Sequence, residues 1–574
     1  MDSEEDLVSL EERLKVALPT GSRPRSLLRR AKQDLNELLW TVKPDWPQLG
    51  ESPEAAQLRT IMKNSTLPEL PAAGQRILLF SMRTWRIHKI WEGLIGRGLL
   101  ERRADPTVVI CDGLPRCDMF GLNAPGYSAP HCRNCAAYNR QIFHLFGLPV
   151  QPMSAFHTAC DRDEAQHMVA SWTEDYESFE AEGLPLGELA RPSLMRTLLR
   201  GSLKQDELSR RLYREYLVGG VILARAFRRM LARIQPDMLF TLSGMFFGER
   251  IGLTIAQQQG LHAVTHERGF ARNRLVLAHD EPANRFAVDD AWDEAQDRPL
   301  TREQGAALDR YLASRQGGKD DVVNYWPSIE SRREFIIDRL KLDPSRPILT
   351  VFTNILWDTA VYRRDVGFAG MFDWLEALIR QVGALPGLQL VVRIHPAEVR
   401  LTQKTRERVL DRLTAGHQLL PGNVVIVPPE SDISSYALID LSTVVCVYTS
   451  TVGLEATLRG VPVLVAGQTH YRGKGFTHDV ESATHLTALL GMAAAWPRVP
   501  EEQVALARRY AHLFFLQNML PIDLVTEDAR GSVRFNFDSF AALKPGRHPV
   551  LDQICTAILE RKPFGQPFSR EGSS

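Results

Sequence analysis

The chain has 574 residues, and its 69 Lys and Arg balance 69 Asp and Glu, giving a formal net charge of zero. That balance argues against bulk electrostatic capture of nucleic acid or anionic lipid. With 44% hydrophobic and 24% charged residues, the composition is that of a folded globular protein, long enough for about three or four domains. No window approaches the roughly 18 consecutive apolar residues of a membrane span. The acidic start MDSEEDLVSLEERLKVALP has no apolar signal-peptide core, so a cytoplasmic protein is expected. Seven cysteines are too few for a disulfide scaffold at this length.

Residues 1–74 read as a helical extension, with Leu7, Leu10, Leu14, Leu35 and Leu38 at near-helical spacing. An α/β pattern then begins. QRILLFSM (75–82) is a strand, WEGLIGRGLL (91–100) a helix and TVVICDG (107–113) the next strand. After a long helical stretch, DMLFTLSG (237–244), IGLTIAQQQG (251–260) and HAVTHERGF (262–270) form another strand–helix–strand unit. Residues 75–290 are therefore expected as one Rossmann-like domain, with a cysteine-rich insertion at 111–135. The charged, turn-rich stretch 291–345, with RQGGKDD at 315–321, is the expected linker. A second α/β series covers 346–495: RPILTVFTN, FDWLEALIRQVGAL, LQLVVRIHP, VVIVPP, VVCVYTS, VGLEATLRG and VPVLVAG. Residues 496–574 are expected as a helical tail. Near-continuous apolar strands alternating with helices indicate parallel sheets covered on both faces. The expected architecture is two doubly wound domains facing a cleft, with ligands beyond the carboxyl ends of the strands.

The insertion carries Cys111, Cys117, Cys132 and Cys135 in the spacing C-x5-C-x14-C-x2-C, with His131 alongside. This spacing suits a structural zinc. Cys111 ends a strand, which weakens it as a ligand, and His131 is its substitute. Free thiols weigh equally, with an iron–sulfur centre behind both. Cys160, Cys446 and Cys555 read as core residues.

In the second series, YTSTVGLEATLRGVPVLVAG (448–467) runs from strand through polar turn to helix and strand. Ser450 or Thr451 can cap the helix, whose free N–H groups suit a phosphate. Glu455, a turn further on, can accept from a sugar hydroxyl. Arg393 and His395 end the strand LQLVVRIHP, and Lys474 lies in the glycine-flanked loop HYRGKGFTHD. Asn354 and Asp358 follow the first strand of the lobe and are expected to line the cleft.

Taken in order, Arg393-x-His395-Pro396, Asp432-Ile433 through Asp440, and Thr449-Ser450 through Glu455-Ala456, Gly460 and Pro462-Val463 resemble the C-terminal nucleotide-binding lobe of GT-B glycosyltransferases. They are most similar to the capsule polysaccharide biosynthesis family, which includes Kdo transferases. The resemblance covers about 390–480, and 239–270 is similar to the acceptor lobe more weakly. It implies a GT-B fold and transfer from a CMP-, CDP- or UDP-linked sugar to a glycan or glycolipid acceptor. It also implies metal-independent catalysis, no catalytic cofactor, and peripheral association with polysaccharide assembly machinery at the inner face of the membrane. An inverting transferase needs a base. The candidates are Glu249, His266 and Glu267, with Glu249 favoured as a carboxylate at a helix start. The competing readings are a CDP-glycerol-type glycerophosphotransferase, a sugar-nucleotide epimerase and a non-catalytic GT-B scaffold.

Overall fold

The computed structural model describes residues 51–66, 74–119, 129–317, 329–401, 403–415, 420–528 and 530–565. Two separate sheets organise it. In the first lobe the strands are β1 (Arg76–Ser81), β2 (Asp105–Ile110), β3 (Val150–Pro152), β4 (Met238–Leu242), β5 (His262–Arg268) and β6 (Arg274–His279). In the second they are β7 (Ile348–Phe352), β8 (Gln389–Arg393), β9 (Val424–Val427), β10 (Val444–Val447), β11 (Val463–Val465) and β12 (His478–Asp479). A further strand, β13 (Leu520–Pro521), comes from the C-terminal segment. The sheet orders are β13-β6-β5-β4-β1-β2-β3 and β12-β11-β10-β7-β8-β9. The second sheet is parallel throughout. The first is parallel from β5 to β3, with β6 and β13 antiparallel at one edge. This is the two-lobed, doubly wound architecture expected.

The side-chain alternation explains why both sheets are covered on two faces. Along β1, Ile77 and Leu79 enter one core while Leu78 and Phe80 enter another. Along β10, Val445 and Val447 pack on one side and Val444 and Cys446 on the other. A strand apolar at every position is stable only between two layers of helices.

Two expectations about connections change. Most of 291–345 is not free linker: the helices Asp289–Ala295, Arg302–Gly317 and Arg333–Leu340 lie in or across it. They bury Trp292, Leu308, Tyr311 and Ile336 in the second lobe, an apolar set hidden within a charged sequence. Residues 318–328, which hold most of the turn signal, lie outside the described residues. The C-terminal segment is not simply helical either. After the helix Glu501–His512, the chain returns to the first lobe, where β13 pairs with β6. It then forms a hairpin, Val525–Glu527 with Val533–Phe535, and ends in the helix Pro549–Glu560. Leu520, Ile522, Phe535, Phe540, Ile554 and Ile558 complete the first-lobe core. Most of the expected N-terminal extension lies outside the described residues; its one described helix, Pro53–Lys63, sits against Tyr138, whose hydroxyl donates to Glu54 at 3.0 Å. Cys446 and Cys555 are buried, but Cys160 is exposed, not core. Among the described residues no helix is long and apolar enough to cross a membrane.

Candidate active site

The strand orders reverse their winding between β1 and β4 and again between β7 and β10, and ligands of open α/β sheets sit at such points. At the first, the chain leaves β1 through Met82–Trp85 and β4 through Ser243–Phe246. Ser243 and Gly244 turn through the left-handed region, with φ of 51° and 72°. At the second, Asn354 follows β7 and Thr449 follows β10. The Asn354 carboxamide oxygen accepts from the Thr449 N–H at 3.3 Å and ties the two strand ends together. Ser243 Oγ and Thr449 Oγ1 are both buried with no hydrogen-bond partner among the described residues, so each reversal point presents a vacant hydroxyl. The two lobes touch here. Arg363 pairs with Glu188 at 2.5 Å, and Asn284 Nδ2 donates to Thr359 at 3.3 Å. The Arg196 guanidinium lies 5.6 Å from the Trp85 and Phe246 rings and 5.9 Å from Trp357 of the other lobe.

Beneath the first reversal point lies a buried ionic network. Arg83 donates from Nε and Nη2 to the two Glu249 oxygens at 2.9 and 2.5 Å, and from Nη1 to Asp118 at 2.7 Å. Burial pushes the Glu249 carboxyl up, to about 7, against the pull of Arg83. Glu249 is 0% exposed. It anchors Arg83 and does not face the cleft, so the expectation that it is the base fails on access. His266 is also fully buried, its Nε2 3.1 Å from Glu92. Glu92 in turn accepts from Lys89 at 2.6 Å and Ser81 at 2.7 Å. Burial works against ionisation of Glu92, but Lys89 and His266 outweigh it and hold the carboxyl down at about 2. Of the three candidate bases only Glu267 retains access, its side chain 19% exposed. Its Oε1 accepts from the Arg268 N–H at 2.9 Å and lies 3.6 Å from His88. Burial, with His266 and Arg268 nearby, holds His88 well below the usual imidazole range.

The four cysteines come together. Cys111, Cys117, Cys132 and Cys135 line one cavity of about 310 Å³ at the carboxyl ends of β1 and β2. Burial pushes the Cys117 thiol up to about 12 and raises the other three. Among the described residues, no three Cys, His, Asp or Glu are grouped closely enough to hold one metal ion. The described cysteines thus do not by themselves form the tetrahedral set expected from the spacing. The His131 side chain lies outside the described residues.

At the second reversal point the polar groups are less satisfied. Among the described residues the Arg364 side chain makes only long hydrogen bonds, 3.4 Å to the Asn284 carbonyl and 3.5 Å to that of Arg285. Burial and the neighbouring Arg285 lower it to about 10. Arg285 is lowered too, by burial and then by Arg250 and Arg363. Thr469 Oγ1 and His470 Nε2 are buried and unpartnered among the described residues. His395 is held at about 4 by burial, its Nδ1 accepting from the Ala397 N–H at 3.1 Å. Glu281 acts on both arginines in the opposite sense; two guanidiniums beside unpartnered polar atoms are groups of the kind that can receive an anion.

Residues 327–514 match the family model of capsule polysaccharide biosynthesis proteins. The match takes in the second lobe, which is thus similar to capsule polysaccharide biosynthesis proteins. No curated protein sequence matches the chain. Similar solved structures include the KpsC beta Kdo 2,4 transferase of Thermosulfurimonas dismutans, at 16% identity over 53% of this chain and 85% of that one, with a TM-score of 0.33. Sucrose-phosphate synthase of Thermosynechococcus elongatus follows at 13% identity, 77% and 95% coverage and a TM-score of 0.27. The UDP-GlcNAc 2-epimerase of Neisseria meningitidis stands at 11% identity, 76% and 98% coverage and a TM-score of 0.23. Likenesses this distant carry no argument about activity.

Within the second lobe the expected ligands divide. Ser450 and Thr451 are half-buried at the start of the helix Val452–Leu458, and Ser450 Oγ accepts from the Val452 N–H at 3.3 Å. Arg393 is not free for phosphate: it is 3% exposed and donates to the Pro428 carbonyl at 2.8 Å and that of Ser431 at 3.0 Å. It pins the loop after β9. Glu455 is 5% exposed and held by Arg315 at 2.7 Å and by the Tyr436 hydroxyl. Lys474 pairs with Asp289, so the basic loop is tied across to the helix Asp289–Ala295. Sequence reading missed Arg196, Arg285, Arg364 and Thr469, and gave Thr449 only a place in the polar turn. The signal available was position alone, since Thr449 and Thr469 follow β10 and β11 and Arg364 follows the loop after β7.

Proposed function

We propose that the chain is a glycosyltransferase that moves a sugar from a nucleotide-activated donor to a glycan of a capsular or lipopolysaccharide-type surface polysaccharide. The observation that carries this reading is the match of the second lobe to the capsule-synthesis family. The cleft geometry supports it. The donor phosphate sits at the reversal point between β7 and β10, with Ser450, Thr451 and the vacant Thr449 hydroxyl below it and Arg285 and Arg364 beside it. The acceptor lies against the first lobe. Its hydroxyl attacks the anomeric carbon, the bond from that carbon to the nucleotide phosphate breaks, and Glu267 takes the hydroxyl proton. The two arginines neutralise the charge that grows on the leaving phosphate, where preorganised donors are most effective. Acting on a lipid-linked glycan, the enzyme works at the cytoplasmic face of the membrane as a peripheral protein.

Thermal denaturation in the presence of CMP, CDP and UDP tests this. A ligand bound only by the folded state stabilises it by RT ln(1 + [L]/Kd), about 2.7 kcal/mol at a hundredfold excess over Kd. One of the three should raise the melting temperature well above the others. Indifference to every nucleotide and nucleotide sugar would remove the reading and leave a scaffold.

A further inference from the structure

We infer that Cys111, Cys117, Cys132 and Cys135 ligate an iron–sulfur cluster in the first lobe. The four thiols lie on three pieces of chain. Cys111 is the first residue beyond β2, Cys117 lies in the following loop, and Cys132 and Cys135 stand three apart on the helix Ala129–Leu145. Residues three apart share a helix face. The fold turns all four towards the same cavity of about 310 Å³. The remaining three cysteines are scattered, one exposed and two in separate cores. None of the seven forms a disulfide.

The spread of the four thiols around the void bears on which metal chemistry fits. A single zinc requires its sulfurs about 2.3 Å from one point, so its four ligands crowd together. Here no three candidate ligands among the described residues are that close, yet all four thiols border one void. A polynuclear cluster fits this pattern, because each thiolate binds at the periphery of a core that itself fills space. Each thiol loses one proton on ligation, and the assembled cluster is anionic. Arg86 lies on the cavity wall, 3.5 Å from Glu54. The ligands also border the buried network, since Cys117 directly precedes Asp118, the partner of Arg83. A bound cluster therefore fixes the loop that holds Arg83 and Glu249 in place. This inference stands whether or not the chain transfers sugar.

The test is purification of the whole chain under nitrogen from iron-supplied cells, followed by assay of iron, acid-labile sulfide and zinc. Iron and sulfide in equal amounts, at two or more per chain, with visible charge-transfer absorbance, are expected. Chain recovered without metal should regain both from ferrous iron and sulfide. The double variant Cys132→Ser/Cys135→Ser should lose both, whereas Cys160→Ser keeps them. One equivalent of zinc without sulfide overturns the inference. So does a folded wild-type chain that takes up neither iron nor sulfide, or equal uptake by the double variant. Should the double variant not fold, the metal and sulfide content of the wild type decides alone.

Discussion

At the residue scale, Glu249 shows how access overrides sequence position. It was legible as a carboxylate at the start of a helix following β4, and it lies there, in the first turn of Phe247–Gln258. What one sequence does not reveal is that Arg83, 166 positions away, reaches it with two hydrogen bonds. The pairing sets different outcomes for two similar substitutions. Glu267→Gln should lower turnover at saturating donor by about 10²–10⁴, the usual effect of losing a general base, with nucleotide affinity unchanged. Glu249→Ala leaves Arg83 with only Asp118 in a dry site and should cost about 3–5 kcal/mol of stability, read by chemical denaturation. Full activity in Glu267→Gln would move the base elsewhere.

His262 adds a pH dependence at the same scale. It is 3% exposed, and its Nε2 lies 2.9 Å from Nδ1 of His279. Burial is the main cause that holds it at about 4. The folded state thus favours the neutral ring. Above pH 6.5 neither state takes up a proton and the full stability is present. As the pH falls from 6.5 towards 4, the unfolded chain binds a proton that the folded chain refuses, and stability is lost. The loss by pH 5 is at most about 2 kcal/mol, at 1.36 kcal/mol per unit. Stability of wild type relative to His262→Gln should fall by up to that amount between pH 7 and pH 5. A constant difference between them would contradict a neutral buried ring.

At the element scale, the strands of both sheets were readable because parallel, doubly covered strands are apolar at every position, as in Val444–Val447. The C-terminal segment was misread because its signal is long-range. Leu520 and Pro521 look like the end of a helix until β6 is present to pair with them. The helix Pro549–Glu560 packs on Arg86–Glu101 so closely that a Cβ on Gly98 would stand 3.0 Å from Cys555 Sγ. Deleting residues 520–574 should therefore unfold the first lobe, although the segment lies outside the family match, which ends at 514. Such a truncation is expected to be insoluble or to bind a hydrophobic dye strongly. A soluble truncated chain with the wild-type melting temperature would show that the segment is not core.

At the scale of the whole molecule, charge is balanced overall but not in the cleft. Local sequence reading located the second reversal point through Ser450 and Thr451, yet it chose Arg393 as the phosphate ligand. That choice failed because an arginine at a strand end can equally hold a loop, and here it holds Pro428 and Ser431. The cationic groups that remain available come from both lobes: Arg285 from the first, Arg364 from the second. Neither has a carboxylate within ion-pair distance among the described residues; Arg285 lowers the proton affinity of Arg364, while the more distant Glu281 acts on both in the opposite sense. On the proposed function, a donor phosphate between them offsets the charge that Arg285 and Arg364 bring together. Arg364→Ala removes one of the two repelling charges together with its long contacts to Asn284 and Arg285. Its stability without nucleotide should stay within about 0.5 kcal/mol of wild type, as for a substitution that breaks no packed pair. Nucleotide affinity should drop by about one to two orders of magnitude, the loss of a charge-assisted contact worth about 1.5–3 kcal/mol. The wild-type affinity should weaken with added salt, and that dependence should be shallower in the variant because one screened charge is missing. Titration calorimetry at two ionic strengths measures both effects. If Arg364→Ala binds the nucleotide as tightly as wild type at either ionic strength, the phosphate does not sit between the lobes.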